Sequence, residues 1–263
     1  MAQLEINHYT SEMANFPDAG IIKWSLIFSP MTMIFLSLAY LSFVYFIGPQ
    51  FMKNRQPYSL KTFMQFYNIF QIIANFWLVS NIYIYGRPIA VLWKYCESFD
   101  EMVGSNSEKV LQIFLGLLIL KIIDYTETIV FVLRKKNNQI SFLHVYHHLS
   151  TVLYVWVTLK YWIHSHLMVT TLLNCFVHVV MYSYYFLSTF PNLQRRLVPF
   201  KKWITRIQMA HILFLTAISL VGFRPSCGNK SAKYFSAMTF LNGTINLLFF
   251  FNFYTSYKKS KTA

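Results

Sequence analysis

Seven runs of apolar residues, each about 20 long, divide this chain, and about 20 residues is what an α-helix needs to cross a bilayer core of roughly 30 Å. The runs cover roughly 28–48, 63–84, 110–133, 141–162, 167–189, 204–222 and 234–256. In hydrocarbon every backbone N–H and C=O must be satisfied within the protein, so only helices and closed barrels span; runs of this length specify helices. The expectation is an all-α polytopic membrane protein with seven transmembrane helices, one domain over residues 1–263. Composition agrees, with 56% hydrophobic residues and only 12% charged, where a soluble domain carries about a quarter. The segment Met1–Lys23 is mixed and holds Glu5, Glu12 and Asp18, so no N-terminal targeting segment is read there.

The loops orient the spans. The net charge is +14, and no acidic residue follows Glu127. Because the Lys and Arg sit in short loops between apolar runs, the basic balance signals membrane topology and not nucleic-acid binding. One set of loops, with the tail, holds thirteen basic residues: Lys53, Arg55, Lys61, Arg134, Lys135, Lys136, Arg195, Arg196, Lys201, Lys202, Lys258, Lys259 and Lys261. The opposite set holds seven: Lys23, Arg87, Lys94, Lys109, Arg224, Lys230 and Lys233. The positive-inside rule puts the first set and the C-terminus in the cytosol, and seven spans then leave the N-terminus outside it. Cys96 and Cys227 both fall on the non-cytosolic side, where a disulfide between them is expected. The sequon Asn229-Lys230-Ser231 lies on the same side and is a glycosylation candidate, whereas Asn242-Gly243-Thr244 lies within a span. The three cysteines form no CxxC, hence no zinc pattern. Lys259 and Lys261, fifth and third from the end, resemble a dilysine signal for return to the endoplasmic reticulum; a lipid-bound basic tail is the plainer alternative.

Polar residues break the apolar runs at one level. The third run contains Lys121, Asp124 and Glu127; each, left unpaired near the bilayer centre, would cost about 2.5–3.5 kcal/mol. Lys121 and Asp124 are i, i+3 and can pair on one helix, leaving Glu127 to find another partner. In the fourth run His144, His147 and His148 stand at i, i+3 and i+4, so a 3.6-residue turn places the three imidazoles on one face. Asn174 and His178 share a face of the fifth run with Tyr182 and Tyr185, the sixth run adds Gln208 and His211, and the second adds Asn68, Gln71 and Asn75. At about 1.5 Å per residue these groups lie roughly 5–16 Å from the cytosolic ends of their spans. Intramembrane ionisable groups mark function, and a polar mouth above apolar depth suits a substrate with a polar head and a long hydrocarbon tail.

Taken alone, the HxxHH box admits two chemistries. Imidazole binds iron, zinc or copper, but the remaining histidines (His8, His164, His166, His178 and His211) are too few at this depth to fill two metal shells; one metal on the three box residues stays open. The other chemistry uses a neutral imidazole as base or nucleophile, oriented by Asp124 or Glu127. Cys175 has apolar neighbours and no cation to activate its thiol, so it reads as packing. A seven-span receptor or transporter is the rival from another class, and the buried histidine cluster argues against it.

Three stretches carry a resemblance. The chain resembles the ELO family of very-long-chain fatty acid elongases, first in GPQFMKNRQPYSLKTFMQFYNIFQ (Gly48 to Gln71), then in LKIIDYTETIVFVLRKKNNQISFLHVYHH (Leu120 to His148), and then in NCFVHVVMYSYYFLS (Asn174 to Ser188). The resemblance implies condensation of malonyl-CoA with a long-chain acyl-CoA to 3-oxoacyl-CoA, CO2 and CoA, spans 2–7 as a barrel around an acyl tunnel, and no metal or other cofactor. By position it makes His147 the acyl-accepting nucleophile and His178 its partner, with His144 and His148 polarising the site. Lys121, Asp124, Glu127, Asn174, Tyr182, Tyr185 and Gln208 would line it, and Arg134, Lys135 and Lys202, with Lys136 and Lys201, would meet CoA phosphates. It also implies residence in the endoplasmic reticulum beside a ketoacyl reductase, a dehydratase and an enoyl reductase. Two departures stand out: the family's KxxExxDT is here Lys121-Ile-Ile-Asp124-Tyr-Thr-Glu127-Thr128, its acids exchanged, and its QxxQ is Gln208-Met-Ala-His211.

Overall fold

The computed structural model describes residues 29–262, with side chains to residue 255. The expected non-cytosolic N-terminus, His8, Lys23 and the side chains of the tail lysines lie outside those residues. Among the described residues every regular element is helical. Eight longer segments are α1 (Pro30–Met52), α2 (Lys61–Tyr85), α3 (Ser107–Ile123), α4 (Tyr125–Leu133), α5 (Phe142–Tyr161), α6 (Leu167–Ser188), α7 (Phe200–Ser219) and α8 (Lys230–Thr262). By length and composition, four described helices can cross a membrane: Pro30–Met52, Leu167–Ser188, Phe200–Phe223 and Lys230–Thr255. The other expected spans, α2, the α3–α4 pair and α5, are the ones that carry the amides, the ion pair and the histidine box.

The chain forms two compact units, residues 1–59 with 118–163, and residues 60–117 with 164–263. In the first, α1 contains a π-turn over Phe43–Ile47, closed by the Gly48 N–H on the Phe43 carbonyl. Pro49 follows directly; its ring lacks an N–H and crowds the preceding turn, and a widened turn accommodates it. Gly48 is also where α1 meets α4: a Cβ there would lie 2.7 Å from Val132 Cγ1. The expected single third span is two helices, because the chain tightens at Asp124, where the Glu127 N–H reaches the Asp124 carbonyl at 3.1 Å. α4 ends in a Schellman turn, with Lys135 at φ 52° in the position glycine usually takes, and the Lys136 N–H on Phe131 O at 2.9 Å. Ser141 then caps α5, its Oγ accepting from the His144 N–H at 3.2 Å.

In the second unit α2 packs along α6 and α7 along α8. Glycines allow both approaches. A Cβ at Gly86 would sit 2.8 Å from Met168 Sδ, and one at Gly243 would overlap the Thr216 hydroxyl. Away from the spans, Cys96 and Cys227 are joined in a disulfide that ties the loop before α3 to the loop before α8. Around it Tyr95, Cys227 and Ala232 are buried, and Tyr95 OH meets Ser236 Oγ at 2.7 Å. His164 and His166, between α5 and α6, are fully buried, with ring centroids 5.2 and 4.8 Å from that of Tyr95. Burial pushes His164 down to about 4; His166, which also feels His164, is pushed to about 3. Asn229 Oδ1 accepts from the Ala232 N–H at 3.3 Å at the start of α8.

Candidate active site

In the first unit, α3, α4 and α5 bring together the ionic residues and the histidine box. The helical i, i+3 spacing lets Lys121 Nζ reach Asp124 Oδ2 at 3.3 Å, with both side chains almost fully buried. Three residues on, the Glu127 carboxylate points to α5 and lies 3.6 Å from His148 Nε2. That is too long for a hydrogen bond, and it sets a carboxyl group beside an imidazole where water is scarce. Glu127 thus finds its partner in the histidine box, and the exchanged acids divide the work: the short carboxylate serves Lys121, and the longer one reaches the next helix.

The three imidazoles share a face as the spacing requires. The His144 and His148 ring centroids are 4.2 Å apart, and those of His147 and His148 are 5.7 Å apart, edge to face. His148 is buried while His144 and His147 are half-buried, so both of these have more open surroundings than His148. His144 Nε2 lies 3.0 Å from Thr128 Oγ1, which lies 2.9 Å from the hydroxyl of Tyr40 on α1. Sequence reasoning missed both hydroxyl residues as members of the site. Thr128 sits in the quoted motif beside Glu127, a usable signal; nothing distinguishes Tyr40 among 18 tyrosines. Glu127, His144 and His148 each offer a ligand atom, all within 4.8 Å of one another, so a cation could be held there by two imidazoles and a carboxylate. His147 is not one of the three.

The second unit arranges its polar residues along α2 and α6. Gln71 Nε2 donates to Tyr67 OH at 2.9 Å, and Asn75 Nδ2 donates to Gln71 Oε1 at 3.1 Å. Gln71 and Asn75 are buried, so this ladder is a polar network inside the protein; Asn68 is buried on the same helix, with no hydrogen bond from its Nδ2 among the described residues. Tyr67 meets Tyr182 edge-on at 6.0 Å, and Tyr182 in turn meets His178 at 5.6 Å and Tyr185 at 6.1 Å. Gln208 Nε2 on α7 contacts Met181 Sδ at 3.1 Å. The structure therefore unites His178, Tyr182 and Tyr185, with Gln208 one residue away through Met181; Asn174 stands one turn before His178 on the same helix. Cys175 is fully buried. Of the basic residues, Lys135, Lys136, Lys201 and Lys202 are exposed and Arg134 is half-buried. Lys201 and Lys202 border a shallow cleft with Thr205, Phe253 and Tyr254.

Comparison with known proteins identifies the relatives of this arrangement. The very long chain fatty acid elongase 1 of Mus musculus is 31% identical over 252 residues, 95% of this chain and 90% of that protein. The very long chain fatty acid elongase 5 of Mus musculus is 31% identical over 254 residues, 94% of this chain and 80% of its own length. The very long chain fatty acid elongase 4 of Macaca mulatta is 29% identical over 246 residues, covering 93% of this chain and 77% of that protein. A family model described as ELO, the GNS1/SUR4 family, matches residues 25–263, a range that holds both polar clusters. The chain belongs to the ELO (GNS1/SUR4) family of polytopic membrane proteins.

Proposed function

We propose that this protein is a very-long-chain fatty acid elongase, the 3-oxoacyl-CoA synthase that condenses malonyl-CoA with a long-chain acyl-CoA. In this reading a ring nitrogen of His147 attacks the acyl thioester carbonyl. The carbon–sulfur bond breaks, CoA leaves as its thiolate and takes up a proton, and an acyl-imidazole remains. Malonyl-CoA then loses CO2, and the electron pair freed at its α-carbon attacks the acyl-imidazole carbonyl. The carbon–nitrogen bond breaks, the departing imidazole nitrogen takes up a proton from water in place of the one its ring gave to CoA, and a 3-oxoacyl-CoA two carbons longer results. His178 positions malonyl-CoA or handles the proton; His144 and His148 polarise the reacting carbonyl, and Glu127 orients His148.

The architecture that goes with this reading has seven spans, with spans 2–7 forming a barrel around an acyl tunnel and the C-terminus in the cytosol. Lys121, Asp124, Asn174, Tyr182, Tyr185 and Gln208 line the polar end, and Arg134, Lys135 and Lys202 receive CoA phosphates there. Residence in the endoplasmic reticulum, glycosylation at Asn229 and work beside a ketoacyl reductase, a dehydratase and an enoyl reductase belong to the same proposal. What supports it best is family membership over residues 25–263 together with the three box imidazoles on one face of α5. Membranes carrying the chain are to be supplied with labelled malonyl-CoA and a panel of acyl-CoAs. Labelled 3-oxoacyl-CoA should form with the native chain and vanish with His147→Ala; undiminished turnover by the variant would end the assignment.

A further inference from the structure

Tyrosine within an apolar helix carries a hydroxyl that must find a partner when buried. Tyr40 on α1 is 4% exposed, and its ring stacks on that of Tyr125 with centroids 4.0 Å apart and planes 9° from parallel. Its hydroxyl lies 2.9 Å from Thr128 Oγ1, 88 residues away in the chain, and Thr128 is fully buried. Thr128 Oγ1 in turn lies 3.0 Å from His144 Nε2. The three groups form a line of hydroxyl, hydroxyl and imidazole, leading from α1 into the histidine box.

The hydrogens can run along that line in only one direction without loss. A threonine hydroxyl donates a single hydrogen. Were it given to Tyr40, the phenolic hydrogen would be left buried with no acceptor among the described residues, at the full desolvation penalty of an unmade bond. Given to His144 instead, it lets Tyr40 donate to Thr128 and Thr128 to Nε2, and both hydroxyl hydrogens are used. An accepting Nε2 on a neutral imidazole places the ring proton on Nδ1. We propose that Tyr40 is a positioning residue of the condensation site: acting through Thr128, it holds His144 as the Nδ1–H tautomer, so that His144 serves as a hydrogen-bond donor beside His147. This inference rests on the proposed condensation for its kinetic consequence, while the tautomer itself does not depend on it. It also gives α1, the one span outside the proposed barrel, a part in the chemistry.

The kinetic test compares single and double variants in the malonyl-CoA assay. Tyr40→Phe keeps the stacked ring and removes only the hydroxyl. It should lower kcat about tenfold, the weight of one well-placed hydrogen bond, and leave KM for acyl-CoA unchanged. Thr128→Val should match it, the double variant should be no worse than Thr128→Val alone, and Thr128→Ser, which retains a hydroxyl, should restore most of the loss. Native kcat in Tyr40→Phe, or equal damage from Thr128→Ser and Thr128→Val, would overturn the proposal. Nitrogen-15 NMR of histidine-labelled native protein, with His144 assigned by His144→Gln, reads the tautomer even should a relay variant misfold. Protonated Nδ1 supports the relay and protonated Nε2 refutes it. A native chain that makes no 3-oxoacyl-CoA would remove the condensation reading and leave the NMR result standing.

Discussion

The Glu127 carboxylate lies 3.6 Å from His148 Nε2, and both side chains are nearly buried. Lys121, the nearest basic residue on the same stretch, is held by Asp124 at 3.3 Å. The order of the two acids explains this division. A carboxylate three residues from a lysine needs only the reach of aspartate, whereas crossing from α4 to α5 uses the additional methylene of glutamate.

Shortening that side chain or replacing its carboxyl group should slow the enzyme. Glu127→Gln keeps the size and replaces the carboxyl group facing His148 with an amide, and should lower kcat about tenfold; Glu127→Asp, which withdraws the carboxyl group by one methylene, should lower it less. Steady-state production of labelled 3-oxoacyl-CoA measures both. Native rates in both variants would show that the contact has no part in turnover.

The Cys96–Cys227 disulfide closes a loop with a sequence separation of 131. In the chain-entropy account, a loop of that size is worth at most about 5 kcal/mol of stability. Cys96→Ser should therefore lower the unfolding temperature in detergent by several degrees. Treating the native chain with a reductant should reproduce the shift and leave the variant unchanged. A reductant-insensitive native protein would contradict this.

Acid should loosen the buried cluster beside this disulfide, where His164 and His166 pack against Tyr95. His164 and His166 are held at about 4 and 3 in the folded protein, against roughly 6.5 when unfolded. The unfolded chain then binds more protons below about 6.5, so stability is whole above that pH and falls as pH drops towards 4, by about 2 kcal/mol per histidine at pH 5. Thermal unfolding at pH 7 and pH 5 measures the loss. The double variant His164→Gln/His166→Gln should show a shallower pH dependence than the native chain; an equal slope would place the acid sensitivity elsewhere.

How much of the site was readable from the chain follows from how far its contacts reach along it. The i, i+3 and i, i+4 relations were legible, because one helical turn fixes which side chains meet. Thus Lys121 with Asp124 and the shared face of His144, His147 and His148 follow from spacing. Ser141 as the cap of α5 is equally local. The π-turn ahead of Pro49 and the break at Asp124 were not read, since an apolar run reports its length and not the irregularities that polar and imino residues impose on it.

By itself, the sequence determined the helical class and the shared face of the histidine box, and four of its seven apolar runs correspond to helices long and apolar enough to cross a membrane, because hydrophobic length and helical period are properties of consecutive residues. Only tertiary structure decided that Glu127 faces His148 and that Tyr40, 88 residues before Thr128 on another helix, reaches His144 through it. Contacts between helices depend on how each is rotated and how closely it approaches its neighbour. Here that approach is set by packing at sites such as Gly48 against Val132, and no spacing within a single run encodes it.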